Sequence, residues 1–157
     1  MKHIWAPWRV AYIRSPKPQG CIFCDKPKDS DDEANYILFR GKYNLIMMNS
    51  YPYNPGHLMV IPYRHLSNLE DMNDIEMLEH LQLTGTCIQI LKKVYSPNGF
   101  NTGMNLGKIA GAGIDDHIHT HIVPRWQGDT NFMPVVGDVR VISEALVDTY
   151  KRLKLEF

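Results

Sequence analysis

Asp116-His117-Ile118-His119-Thr120-His121-Ile122-Val123-Pro124 alternates from residue to residue, and that alternation decides the fold reading. Alternate side chains of a β-strand share a face, so residues 116–124 read as a strand. His117, His119 and His121 then form a row on one side, and Ile118, Thr120 and Ile122 face the core or a sheet partner. Packing does not require three imidazoles in a row, but two kinds of chemistry use them. Neutral imidazole is a common metal ligand. It is also a nucleophile that attacks phosphorus and forms a covalent intermediate, while a neighbouring imidazole protonates the leaving oxygen or orients the phosphate.

Directly before the row lies Asn105-Leu106-Gly107-Lys108-Ile109-Ala110-Gly111-Ala112-Gly113-Ile114. Glycines let backbone N–H groups turn toward an anion and form a nest. Such a loop alone is weak evidence. Next to a strand bearing three histidines, it sets a phosphate cradle beside a phosphorus nucleophile.

Working outward, Tyr36-Ile37-Leu38-Phe39 and Leu45-Ile46-Met47-Met48 are short apolar runs separated by a turn, which reads as a hairpin. A third strand is expected at 57–62, with Pro62 marking its end. Ser67-Asn68-Leu69-Glu70 has capping-box spacing. A helical stripe of Ile75, Leu78, Ile88, Leu91 and Val94 follows, reaching about Tyr95, with Gly99 as a stop. Residues 100–106 read as a fourth strand. Residues 143–155 have helical periodicity, with Leu146, Tyr150 and Leu153 on one side. Strands outnumber helices and most join by short turns, so the expected class is α+β, an antiparallel sheet with helices packed on it. One domain is expected over 1–157: an irregular arm at 1–35, a core at 36–126, and a tail with a helix at 127–157. On the arm, Trp5, Trp8 and Tyr12 are expected to pack against the body.

The 157 residues suffice for a core without disulfide staples. Lys plus Arg and Asp plus Glu each number 17, so the formal charge is zero, and no basic run stands out. That argues against a nucleic-acid binder, which carries a basic patch or stripe. Three cysteines, Cys21, Cys24 and Cys87, do not make a secreted disulfide framework. The first residues hold no uninterrupted apolar run, so neither signal peptide nor membrane span is expected, and the chain reads as cytoplasmic. Cys21-Ile22-Phe23-Cys24 has the spacing of a metal knuckle or a redox pair.

His-x-His-x-His followed by two apolar residues, here His117 to Val123, resembles the hallmark of the histidine-triad superfamily. Thr120 departs from the apolar residue usual between the second and third histidines, and the loop from Gly111 to His117 is one residue longer than in short members. The resemblance extends through Asn49, Pro55-Gly56-His57, Val60-Ile61-Pro62, Asn105 and Gly111. The flanks, Trp5-Ala6-Pro7-Trp8-Arg9 and Pro124-Arg125-Trp126 with residues 128–135, are similar to the bacterial branch that contains diadenosine tetraphosphate phosphorylases. The resemblance implies a homodimer acting on an adenine nucleotide. His119 would attack the α-phosphorus, and water or inorganic phosphate would resolve the nucleotidyl-histidine. It gives His121 and His57 places lining the phosphate site, and His117 a place in the hydrogen-bond network. It sets Asn49 on the ribose, Asn105 and Gly113 at the phosphate, and Ile22, Phe23 and Met47 beside the base. It also completes a structural zinc site of Cys21, Cys24, His65 and His117. The readings in competition are hydrolysis of adenylated amines, nucleotide binding without catalysis, and a catalytic metal held by the triad itself.

Overall fold

The computed structural model describes residues 20–111, 113–129 and 144–157. Trp5, Trp8, Tyr12 and residues 130–135 lie outside that range. The strands are β1 (Ile37–Arg40), β2 (Asn44–Met48), β3 (Leu58–Pro62), β4 (Gly99–Met104) and β5 (Thr120–Arg125). They form one antiparallel sheet in the order β1-β2-β3-β5-β4. Among the described residues three α-helices accompany it: α1 (Ile22–Asp25), α2 (Asp74–Tyr95) and α3 (Leu146–Lys154). The α+β reading with a five-stranded antiparallel sheet holds.

Register explains the two faces. Met48, Leu58 and Ile122 pair across the sheet, as do Ile46, Val60 and Thr120. Most of these side chains meet Leu83, Cys87 and Leu91 of α2, with Tyr150 and Leu153 of α3, in the larger core. Cys87 is simply part of it. Met47, Met59 and His121 pair in the intervening row. On that face Met47, Met59, Ile37, Leu45 and Ile61 pack with Phe23 of α1. Every residue of β2 and β3 is buried, because both faces of the central strands are covered. β1 and β4 are the edges.

Three expectations need correction. The fifth strand begins at Thr120, not at 116, so His117 and His119 precede the ladder. The long helix is capped by Asn73, not at Ser67. Asn73 accepts from the amides of Ile75 and Glu76, and the Glu76 side chain answers the Asn73 amide, while 69–71 form a single 3₁₀ turn. Both stretches carry box-like spacing, but the second pair lies where the chain turns onto the sheet. Ile75 and Leu78 are 61% and 58% exposed, so the buried stripe of α2 runs instead through Glu76, His80, Leu83, Thr84, Cys87 and Leu91. Polar residues on the inner face hid it from hydropathy.

Gly56, directly before His57, is required by contact and by conformation. Its φ is +76°, and a Cβ there would lie 3.0 Å from Leu91 Cδ2. It lets the β2–β3 loop rest on the end of α2.

Candidate functional site

The site grows around the segment that joins the glycine-rich loop to β5. His117 is fully buried and His119 is 6% exposed. The Ile118 amide donates to Leu66 O at 2.7 Å, and the Ile118 side chain packs with Leu66 and Met72. The rings form a continuous series. His65 meets His117 edge-on (5.1 Å between centroids), and Phe23 lies against both His117 and His119 (5.6 and 4.8 Å). His119 meets His121 at 4.7 Å, His121 meets His57 at 5.1 Å, and Tyr53 lies on His57 at 4.6 Å.

Fixed acceptors and donors set the tautomers. A carbonyl oxygen accepts only, so His119 Nδ1–H donates to His117 O at 2.9 Å. The Nε2 of His119 therefore carries the lone pair. His117 Nε2–H donates to Pro62 O at 2.8 Å, which leaves its Nδ1 lone pair toward the cysteines. The Tyr53 amide donates to His57 Nδ1 at 3.1 Å, so His57 Nε2–H donates to His121 Nδ1 at 2.9 Å. Neutral His121 then presents an Nε2–H. Burial lowers the pKa of His117 and His119, and lowers that of His121 to about 4, to which repulsion from His119 in its protonated form adds. All three imidazoles are neutral at neutral pH. Chemically, this is a lone-pair nucleophile beside an N–H donor.

The remaining expected residues fall as follows. Asn49 follows β2. Its amide Nδ2 lies 3.4 Å from His57 Nδ1, and its Oδ1 accepts from the Tyr51 amide at 2.8 Å. Met47 and Phe23 are buried together on the His121 face, with Ile22 partly buried against them. Asn105 follows Met104, whose register partner is Thr120, so it emerges beside the start of the triad segment. Gly113 lies exposed in a bend of the loop.

Cys21, Cys24, His65 and His117 bring four donor atoms within 4.8 Å of one another. Cys21 Sγ lies 3.2 Å from His117 Nδ1, and Cys24 Sγ lies 3.4 Å from His65 Nδ1. One turn of α1 sets both thiols on the same side. A tetrahedral zinc holds S and N donors roughly 3.3–3.8 Å apart, given bonds of about 2.3 and 2.1 Å. The donor set and the free Nδ1 of His117 fit such an ion. Asp116 Oδ2, 3.9 Å from His65 Nε2, stands behind one ligand.

Several residues near the site carried no sequence signal. Tyr53 gives its backbone amide to His57, as any residue could, and also lays its ring on it. Asp129 accepts from Arg125, from the Trp126 amide and from Asn54 (2.9 Å), tying the β2–β3 loop to the end of β5. His80 sits under Thr120. A histidine on the inner face of α2 was the available clue.

The HIT domain family model matches residues 31–128. Over its full length the chain is 41% identical to an AP-4-A phosphorylase of Mycobacterium tuberculosis and covers 85% of that protein. It is 32% identical over 96 residues to an asymmetrical bis(5'-nucleosyl)-tetraphosphatase of Schizosaccharomyces pombe, 61% of this chain and 52% of that one. A Zn-bound histidine triad family protein from Mycobacterium smegmatis shares the fold, with a TM-score of 0.69, 22% identity, and coverage of 87% of this chain and 92% of that one. With the family match spanning most of the chain, the protein belongs to the histidine-triad (HIT) domain family.

Proposed function

We propose that the protein is a nucleotidyl hydrolase or transferase that cleaves adenylyl substrates such as diadenosine tetraphosphate, by phosphorolysis. The observation that carries this reading is the tautomer of His119. Its Nδ1–H is held by His117 O, which leaves its Nε2 lone pair free, and its ring lies 4.7 Å from that of His121. Nε2 attacks the α-phosphorus, and the bond to the bridging oxygen breaks. The departing nucleoside triphosphate takes the electron pair and is met by His121 Nε2–H. The new positive charge on His119 is shared with His117 O through Nδ1–H. An oxygen of inorganic phosphate then attacks the adenylyl phosphorus, releases His119 and yields ADP. The likeness to the AP-4-A phosphorylase favours phosphate over water as second nucleophile.

Met47, Phe23 and Ile22 form the apolar wall for the base, Asn49 takes the ribose, and His57, Asn105 and Gly113 serve the phosphates. Zinc, held by Cys21, Cys24, His65 and His117, is structural. It supplies a cross-link between α1, the segment after β3 and the triad segment. A homodimer is supported by the exposed Ile75, Leu78 and Leu81 on one side of α2, and by the open edge of β4. Among the described residues no helix is long and apolar enough to cross a membrane.

The test is incubation with diadenosine tetraphosphate, with and without inorganic phosphate, followed by nucleotide chromatography and intact-mass analysis of quenched protein. ADP plus ATP only with phosphate, and an adenylyl adduct absent from His119→Ala, are the expected results. AMP plus ATP without phosphate makes the protein a hydrolase. Turnover retained in His119→Ala overturns the nucleophile assignment.

A further inference from the structure

Beneath the histidines, on the opposite face of the sheet, lies a buried polar chain that the mechanism above does not use. Asn44 is 0% exposed, His80 5% and Thr120 6%. Asn44 Nδ2 donates to Glu76 O at 3.1 Å and to Glu79 Oε2 at 2.9 Å, which leaves its Oδ1 as an acceptor. His80 Nδ1–H donates to that oxygen at 2.7 Å. His80 Nε2 is then a lone pair, and the Thr120 hydroxyl donates to it at 2.7 Å. The direction of every bond is set, from Thr120 to the Glu79 carboxylate. Glu79 is itself held by the amides of Lys42, Tyr43 and Asn44 at 2.7–2.8 Å.

Thr120 is where this chain meets the site. It is the first residue of β5, so the ladder that fixes its partners Val60 and Met104 does not extend to His119. The nucleophile hangs from the end of the strand. Its segment is held upstream by the Ile118 amide on Leu66 O and by His117 on Pro62 O. Downstream, Thr120 holds it twice, by its place in the ladder and by its hydroxyl on His80. An apolar residue of the same shape would fill the space without burying a hydroxyl, a histidine and an amide together. A satisfied buried network fixes one arrangement where apolar packing tolerates several.

We propose that His80 is a positioning residue, which through the Thr120 hydroxyl fixes the junction between His119 and His121. The proposal rests on the reading of His119 as nucleophile, but its spectroscopic consequence does not. With the junction loosened, the His119 Nδ1–H to His117 O bond is populated less, and the lone pair on Nε2 is no longer held toward the substrate.

Thr120→Val and Thr120→Ser are compared with the unmodified protein in three measurements. These are single-turnover adenylylation with diadenosine tetraphosphate, AMP affinity, and imidazole 15N shifts of His119. Thr120→Val is expected to bind AMP within about twofold of the parent and to adenylylate at least tenfold more slowly. Its His119 shifts should move toward a tautomer mixture. Thr120→Ser, which keeps the hydroxyl, should recover both. Should Thr120→Val fold poorly, His80→Gln gives the same comparison from the other side of the bond. Unchanged 15N shifts and an unchanged adenylylation rate in Thr120→Val would show the pair to be core packing only, and the proposal would be wrong. If the unmodified protein forms no adduct, the functional reading fails, and the positioning claim stands or falls on the 15N shifts alone.

Discussion

His119, His121 and His80 share a residue type and differ in what their ring nitrogens touch. His119 Nδ1 faces a carbonyl, His121 Nδ1 faces the N–H of His57, and His80 lies between an amide oxygen and a hydroxyl. Burial keeps all three neutral, and lowers His80 from 6.5 to about 4. The sign of the linkage follows. Between pH 6.5 and about 4 the unfolded chain binds a proton at this histidine and the folded chain does not. Folding stability is therefore full above 6.5 and falls as the pH drops toward 4. The slope approaches about 1.4 kcal/mol per pH unit for this residue. His121, lowered in the same direction, acts in the same sense. Urea unfolding at pH 7, 5.5 and 4.5 measures the slope, which is expected to be shallower in His80→Gln. An identical slope in the variant would refute the assignment.

At the scale of elements, the informative failure concerns the strand that carries the triad. The alternation of residues 116–124 was correct about faces and wrong about pairing. Its first four residues lie in a segment held by side chains and single backbone contacts, not by a ladder. The same competition displaced the start of α2 from Ser67 to Asn73. Asn73 and Glu76 form a reciprocal capping box, and Glu76 also receives Arg64 Nη2 at 2.7 Å. Asn73→Ala should cost about 1 kcal/mol, read as a lower urea midpoint with an unchanged m-value. Farther along α2, the Glu79 carboxylate receives three consecutive amides of the β1–β2 turn. These bonds and the Asn44 side chain hold its pKa below the usual carboxylate range, although burial works against them. The element therefore anchors the hairpin and the polar chain beneath Thr120 together.

At the scale of the molecule, two assemblies remain to be measured. If zinc ties α1 to the triad segment, chelation should lower the melting temperature by several degrees and restoring zinc should reverse it. Cys24→Ser should show the lower value with or without chelator. An unchanged melting temperature after verified metal removal would leave the four donors without a structural ion. The second assembly is the proposed dimer. Leu81 is 70% exposed, with Ile75 and Leu78 beside it, which is more apolar surface than a helix face meeting only water usually carries. Leu78→Lys with Leu81→Glu should convert a dimer to a folded monomer, seen as a halved mass by light scattering. Two states of equal mass would remove this face from the interface.

The sequence by itself determined the antiparallel sheet and the histidine row, and marked the Cys21–Cys24 knuckle. Period-two alternation forces side chains onto faces, and three histidines at that spacing have few other uses. The spacing of Cys21 and Cys24 marked a knuckle, and the family resemblance added His65 and His117; the four lie far apart in the chain and meet in space. What the tertiary structure alone decided is which nitrogen of each imidazole bears the proton. That depends on partners such as Pro62 O and the Tyr53 amide, backbone groups that every sequence possesses. It also decided that Thr120 is bonded, not merely buried. A hydroxyl on the inner face reads as a small misfit until His80, forty residues earlier on another element, is seen to accept its proton.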